Sequence, residues 1–297
     1  MKYWNFFPAE EPYGIVPVWG YAEVTESKNE AIKEGTQYFG YYPMQKYLKV
    51  EPSKVSDYGF SDGAAHRQEM APLYNNYEVS KPNDYVPIFR PLFGTSFLSY
   101  HFLKNANFFD AKNVILTSAS SKTSLGQAFL LFQNKSEDQK KVIGLTSERN
   151  KTFVEETGFY DLILSYDEVN QLPMEDTVLV DMAGNINALN AAYAHLGDYL
   201  KYTSMIGLTD WQSDRTKLQV PNAKFFFAPH VAMEFGKQWG QKELWKRIGE
   251  ALQSFIMISN NWITIERIHT HEALASLYDD MVSGKVDPKI GYLVEID

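Results

Sequence analysis

The chain has 297 residues, 44% of them hydrophobic and 22% charged, with a net charge of −9. A chain of this length can bury two cores, and its acidity argues against a surface built to neutralise nucleic-acid phosphates. The absence of cysteine excludes disulfides, thiolate nucleophiles and cysteine-held zinc.

The remaining bulk features are equally restrictive. The histidines lack the HExxH spacing, and His269 with His271, two apart, reads as a surface pair at a strand end. No metal site is expected. The opening "MKYWNFFPAEEPYG" has no basic segment leading into an apolar core, and no apolar run reaches the length of a membrane span. The expectation is a soluble cytoplasmic protein with neither membrane nor nucleic-acid partners.

From the N-terminus, "IVPVWGYAEV", "TQYFGYY" and "KYLKVEP" predict β-strands joined by turns. Residues 51–87 are polar and irregular, and predict a long loop with one short helix, of the kind that serves as a lid or binding segment. From Ile88 the texture changes. "GTSFLSYHFLKNANFF" has helical spacing, "AKNVILTSAS" is a buried strand and "TSLGQAFLLFQN" a helix. The strand "KKVIGLTS" follows, then the helix "ERNKTFVEETG" ending at Gly158, then the strands "DLILSY" and "DTVLVDMAGN". A helix "INALNAAYAHLGD" and a fifth strand "YLKYTSMIGLT" complete the alternation. Strands that are apolar along their whole length and alternate with helices predict a parallel sheet covered on both faces. The tail predicts a long helix "KELWKRIGEALQSFIMIS", a strand "WITIERI", a helix "HEALASLYDDMVSG" and a strand "KIGYLVEI". The last strands either complete the sheet or return to the N-terminal β region.

The stretch "SASSKTSLG" (Ser118–Gly126), set between strand and helix, is the principal candidate site. Three readings compete for it. As a P-loop, "SSKTS" would be the Lys-Thr tail, with Asp181 of "TVLVDMAG" on the magnesium side. Counting back from Lys122 and Thr123 puts Leu116 and Ser121 at the two glycine positions, and Leu116 lies inside the strand, so this reading fails. As a dinucleotide loop, the small side chains still let a backbone approach, and serines at a helix N-terminus add hydroxyl donors beside free N–H groups. The second strand bears on this. Where NAD-binding folds carry an acid to hold the ribose hydroxyl, "VIGLT" is followed by Ser147, with Arg149 two residues on and Glu148 between them. Serine and arginine suit a 2′-phosphate, which favours NADP(H) over NAD(H). The third reading is a serine-capped helix with no ligand.

Together "NVILTSASSKTSLGQAFLLF", "KVIGLTSERNKTFVEETGFYDLILSYDEV", "VLVDMAGN" and "YTSMIGLTDW" resemble the cofactor domain of the medium-chain dehydrogenase/reductase superfamily. "PVWGYAEV…EGTQYFGYYPMQKYLKVEP" resembles later strands of its GroES-like catalytic domain, and residues from "ITIERIHTHE" onward resemble the closing segment of quinone oxidoreductase-like members. The match is narrowest to an uncharacterised bacterial branch with serine-rich loops. The resemblance implies an α/β fold, a Rossmann-type doubly wound parallel sheet with a partial GroES-like β domain. Residues 1–87, with about 267–297, would form the β domain, and residues 88–266 the dinucleotide-binding domain. Family members carry several further tens of residues before the equivalent of "MKYWNFFP", so the first β-domain strands are expected to be absent.

The resemblance also implies a zinc-free reductase that uses NADP(H) to reduce a conjugated carbonyl or quinone-like small molecule, with a homodimer suggested by family analogy alone. The cofactor-binding residues it implies are Thr95 near the start of the first helix, the loop residues Ser118, Ser120, Ser121, Lys122 and Thr123, the second-strand group Ser147, Arg149 and Asn150, and Ala183, Gly184 and Gly207. Turn-forming and capping roles account equally well for Gly184 and Asp181. Tyr41 and Tyr42 are the candidate catalytic hydroxyls, able to hydrogen-bond a developing oxyanion, with His230 a weaker candidate and packing an alternative role for either tyrosine. A non-catalytic nucleotide-binding or interaction protein on a degenerate dehydrogenase fold is the rival reading.

Overall fold

The computed structural model describes residues 3–207 and 215–296. Their packing divides the chain into two units: Met1–Ile88, Ile265–Val286 and Gly291–Asp297 in the first, Phe89–Thr264 and Asp287–Ile290 in the second.

The first unit is built on five strands: β1 (Pro17–Glu23), β2 (Gln37–Pro43), β3 (Pro52–Ser56), β4 (Gly59–Asp62) and β5 (Asn76–Val79). They form an antiparallel sheet in the order β1-β2-β5-β4-β3. Side chains alternate across a strand, so β2 feeds two aromatic clusters at once. Tyr38 and Tyr42 pack with Phe60 and Tyr77, while Tyr41 packs with Phe6, Phe7 and Trp19. Gly40 shares the face of Tyr38 and Tyr42, where a Cβ would sit 2.5 Å from the Tyr77 ring.

The long loop expected over 51–87 is corrected: it contains β3, β4, β5 and two short 3-10 turns, Ala65–Arg67 and Pro72–Asn75. The strand expected in "KYLKVEP" begins only at Pro52. These strands hold because of a buried ion pair. Arg67 Nη1 lies 2.9 Å from Asp62 Oδ2, with the two side chains 3% and 2% exposed. Arg67 also donates to Tyr77 Oη (2.8 Å), and Asp62 Oδ1 accepts from the N–H groups of Ala64 and Glu51. Further along the chain come β12 (Thr264–Ile268) and β13 (Ile290–Val294), with a helix, His271–Val282, between them. The two strands pair only with each other, so they join neither larger sheet.

The second unit takes most of the helix α1 (Tyr85–Asn105), then β6 (Asn113–Thr117), α2 (Lys122–Gln133), a one-turn α3 (Lys135–Asp138), β7 (Lys141–Thr146), α4 (Lys151–Thr157) and β8 (Leu162–Ser165). It continues through β9 (Thr177–Asp181), α5 (Ile186–Leu196), β10 (Leu200–Met205), β11 (Ala223–Phe225), α6 (Ala228–Trp239) and α7 (Gln241–Ser259), which makes the His271–Val282 helix α8. The strands pair in parallel in the order β11-β10-β9-β6-β7-β8. This is a Rossmann-type doubly wound sheet, whose strand order reverses between β6 and β9. Both of those strands are buried at every residue.

Two helix expectations are corrected. α1 starts earlier than its apolar spacing indicated and runs through Pro91, which leaves Thr95 in mid-helix rather than near the start. Helix α6, carrying His230 in its first turn, follows β11 where no helix was expected; Pro229 suits the N-terminal turn and Val231 and Phe235 supply the buried face.

Candidate functional site

Doubly wound sheets receive ligands outside the carboxyl ends of their strands, at the point where strand order reverses. Here that point is the loop between β6 and α2, beside the end of β9. Ser118 opens the loop with φ of 49°, a left-handed conformation that normally falls to glycine. Its N–H is received by Tyr166 Oη (2.8 Å), and its carbonyl accepts from Ser121 N–H (2.7 Å). Ala119 donates to Leu145 O (3.0 Å) and accepts from Tyr160 Oη (3.0 Å). Ser124 Oγ donates to Thr117 O (2.6 Å), and Ser121 Oγ caps α2 by accepting from Ser124 N–H.

With the loop so held, the N–H groups of Ser120, Lys122 and Thr123 remain without a protein partner among the described residues. Three free donors at the positive end of a helix form a cradle of the kind that can hold an anion. The Ser120 hydroxyl lies at its edge, accepting from Asn150 Nδ2 (3.0 Å) beside Thr146 Oγ1. It thereby draws together the loop and the end of β7, where Ser147 precedes a 3-10 turn and Arg149 is exposed. Lys122 turns elsewhere: its ammonium donates to the carbonyls of Ile290 (3.0 Å) and Pro288 (3.4 Å).

At the end of β9, Asp181 is 1% exposed. Its carboxylate accepts from Thr117 Oγ1 (2.7 Å), Gly184 N–H (2.9 Å) and Ala183 N–H (3.2 Å). Its carbonyl accepts from Ile206 and Gly207 N–H. One residue therefore ties the carboxyl ends of β6, β9 and β10 together, while Asn185 caps α5. Gly184 has φ of 79°. At Gly207 a Cβ would lie 1.8 Å from Met182 O, so the backbones of two loops touch there. Gly184 and Gly207 line a pocket of about 40 Å³ together with Ile186, Met205 and Asp181. That volume admits small solvent molecules.

The structure thus links the loop that carries Ser118, Ser120, Ser121, Lys122 and Thr123 to Asn150 through the Ser120 hydroxyl, in the turn that also holds Ser147 and Arg149, and joins it through Thr117 and Asp181 to Ala183, Gly184 and Gly207. Thr95 is half-buried on α1, next to Ser96, whose hydroxyl donates to Thr123 O (2.7 Å). Tyr41 and Tyr42 belong to the first unit and point to opposite faces of β2. Tyr41 is buried among aromatic rings, and Tyr42 Oη donates to Tyr38 O (2.9 Å). Burial holds the Tyr42 phenol well above its ordinary range. His230 is exposed beside Glu234.

Sequence reasoning missed Tyr160 and Tyr166, which satisfy the loop's backbone from the far side. Burial pushes Tyr166 up to about 12 and Tyr160 well above its usual value, so both stay protonated. One available signal was Gly144 in mid-strand, a mark of close approach. A Cβ there would meet Ala119 Cβ at 2.9 Å and the Tyr160 ring at 3.0 Å.

Among the described residues no three metal-ligating side chains converge, and no helix is long and apolar enough to cross a membrane. The fold is that of the quinone oxidoreductase-type medium-chain dehydrogenase/reductases. A Salmonella enterica oxidoreductase, yhdH, solved with NADP, is 14% identical over 97% of this chain and 83% of its own, with a TM-score of 0.51. A candidate NADPH:quinone reductase of Mesorhizobium loti is 10% identical over 94% of this chain and 77% of its own, at 0.58. CurA of Vibrio vulnificus is 12% identical over 94% and 79%, at 0.55. No curated protein matches significantly. The chain belongs to the family described as protein of unknown function (DUF2855), whose model matches residues 1–287.

Proposed function

We propose that this chain is a zinc-free, NADP(H)-dependent oxidoreductase that reduces a conjugated carbonyl or quinone-like small molecule. The observation that carries the reading is the set of unpartnered N–H groups of Ser120, Lys122 and Thr123 at the strand-order reversal, with Ser147 and Arg149 at the end of the next strand. The fit to a dinucleotide is good. The N–H groups and the hydroxyls of Ser120 and Thr123 supply donors for a pyrophosphate, and Arg149 with Asn150 suits the added 2′-phosphate. Gly184 and Gly207 line the pocket without side chains where a nicotinamide end would lie, and Gly207 packs directly on the Met182 and Ala183 backbone. Neighbours of the same fold, the Salmonella oxidoreductase among them, hold NADP, which supports the assignment.

When bound, the nicotinamide supplies the hydride. The chain's residues would hold and orient it: Asp181 and Thr117 fix the ends of three strands, and Tyr160 and Tyr166 keep the loop in register from behind. Arg149→Glu should weaken NADPH binding by at least tenfold while changing NADH far less, because arginine selects the extra phosphate. Fluorescence titration of both nucleotides checks this; equal losses would make Arg149 structural, and absent binding would sink the reading.

A second reading, a dinucleotide-binding protein without catalysis, is favoured by the burial of Tyr41 and the engaged hydroxyl of Tyr42. A panel of enones, quinones and aldehydes with NADPH separates the two. Turnover above that of a loop variant identifies an enzyme.

A further inference from the structure

Lys122 presents a physical puzzle. It is the first residue of α2, where a cation opposes the helix dipole. Its ammonium is received by two neutral carbonyls, and no carboxylate pairs with it among the described residues. A methionine or glutamine would fill this half-buried place without a charge to desolvate.

The two carbonyls belong to Asp287–Ile290, which among the described residues after Thr264 is the part that groups with the second unit; Val286 before it and Gly291 after it belong to the first. Three further contacts hold this crossing. Thr264 N–H donates to Lys289 O (2.8 Å), the Lys289 ammonium pairs with Glu156 on α4 (2.7 Å), and it lies over the Phe153 ring. Lys122 is the member of this set that also belongs to the anion cradle, through its free N–H.

We propose that Lys122 is a positioning residue that pins the Asp287–Ile290 crossing to the first turn of α2 and makes the strength of that pin depend on an anion in the cradle. The coupling rests on the dinucleotide reading above. Phosphate charge at the helix N-terminus stabilises the ammonium that grips the two carbonyls, and by linkage the gripped ammonium favours the phosphate. Burial supports this by pushing Lys122 down to about 8, against the opposing pull of Asp287; Lys289 and Glu156, also at the crossing, satisfy each other. The sign follows. The free protein loses the Lys122 proton as pH rises through about 8, the complex holds it longer, and affinity falls across that interval.

The test compares wild type with Lys122→Met and Lys122→Arg by two readouts. NADPH dissociation constants are measured from about pH 7 to 9.5, above the 2′-phosphate's own titration. Limited trypsinolysis without nucleotide, at one pH, follows cleavage after Lys289 by mass spectrometry. Wild-type Kd should rise about tenfold over the range, Lys122→Arg should stay flat because arginine remains charged, and Lys122→Met should be weaker and flat. Cleavage after Lys289 should be several-fold faster in Lys122→Met than in wild type or Lys122→Arg. A wild-type Kd that is flat, or a rise that Lys122→Met or Lys122→Arg shares, overturns the coupling while leaving NADPH binding standing. Equal cleavage in all three overturns the pin. If wild type binds neither NADPH nor NADH at any pH, the functional reading and the coupling fail together, and the cleavage rates alone decide the pin.

Discussion

In the second unit, β6 and β9 are buried at every position and β7 at all but its first residue. In the first unit no strand is buried throughout, and β3 and β5 are mostly half-exposed or exposed. The centre of the parallel sheet is therefore written locally, as apolar runs any window of the sequence reveals, whereas β11 (Ala223–Phe225), half-buried to exposed, carries no such run and was not expected. The antiparallel sheet depends on aromatic clusters on either side of β2 and on one buried polar staple, Asp62 with Arg67. A sheet of the first kind tolerates a conservative change in any one strand. A sheet of the second kind concentrates its dependence in a few side chains.

That contrast can be broken most directly at the staple. Asp62→Ala leaves a guanidinium buried without its carboxylate and should cost about 3–5 kcal/mol, read as an earlier urea transition of the first unit by tyrosine fluorescence. A loss below about 1 kcal/mol would mean that the aromatic clusters hold the sheet unaided. In the second unit the sensitive points are backbone contacts. Gly207→Ala would drive a Cβ into Met182 O and should cost about 1–3 kcal/mol by urea denaturation, with NADPH binding weakened alongside. Smallest is a gain. Gln139, exposed after α3 with φ of 52°, holds a left-handed cap position. Gln139→Gly should stabilise by up to about 1 kcal/mol, measured as a modest rise in Tm.

The same contrast explains what was legible in the residues. The strands "NVILT", "KVIGLT" and "TVLVD" declare themselves by apolar continuity, and Ser147 with Arg149 can be located because a strand end precedes them. The serine-rich loop could be placed between strand and helix for the same reason. The strands within 51–87 could not be read, because Val55, Phe60 and Tyr77 are too few for a pattern and their partners are distant in sequence. Tyr160 and Tyr166 escaped for a related reason: they meet the loop across 41 and 48 residues. The bond from Thr117 to Asp181, the centre of the site, spans 64. Periodicity reports local environment, whereas these contacts exist only once the sheet has formed.

Ser118 carries a consequence for recognition. A glycine in its place would leave the cradle free to sample many shapes and to settle only around its ligand. A serine held at a left-handed φ by Tyr166 Oη and by the Ser121 N–H has that choice made for it when the chain folds. An anion arriving at α2 would therefore meet donors already aimed, and association would forfeit little conformational freedom. Selectivity at such a site comes from rejecting ill-fitting anions rather than from adapting to them.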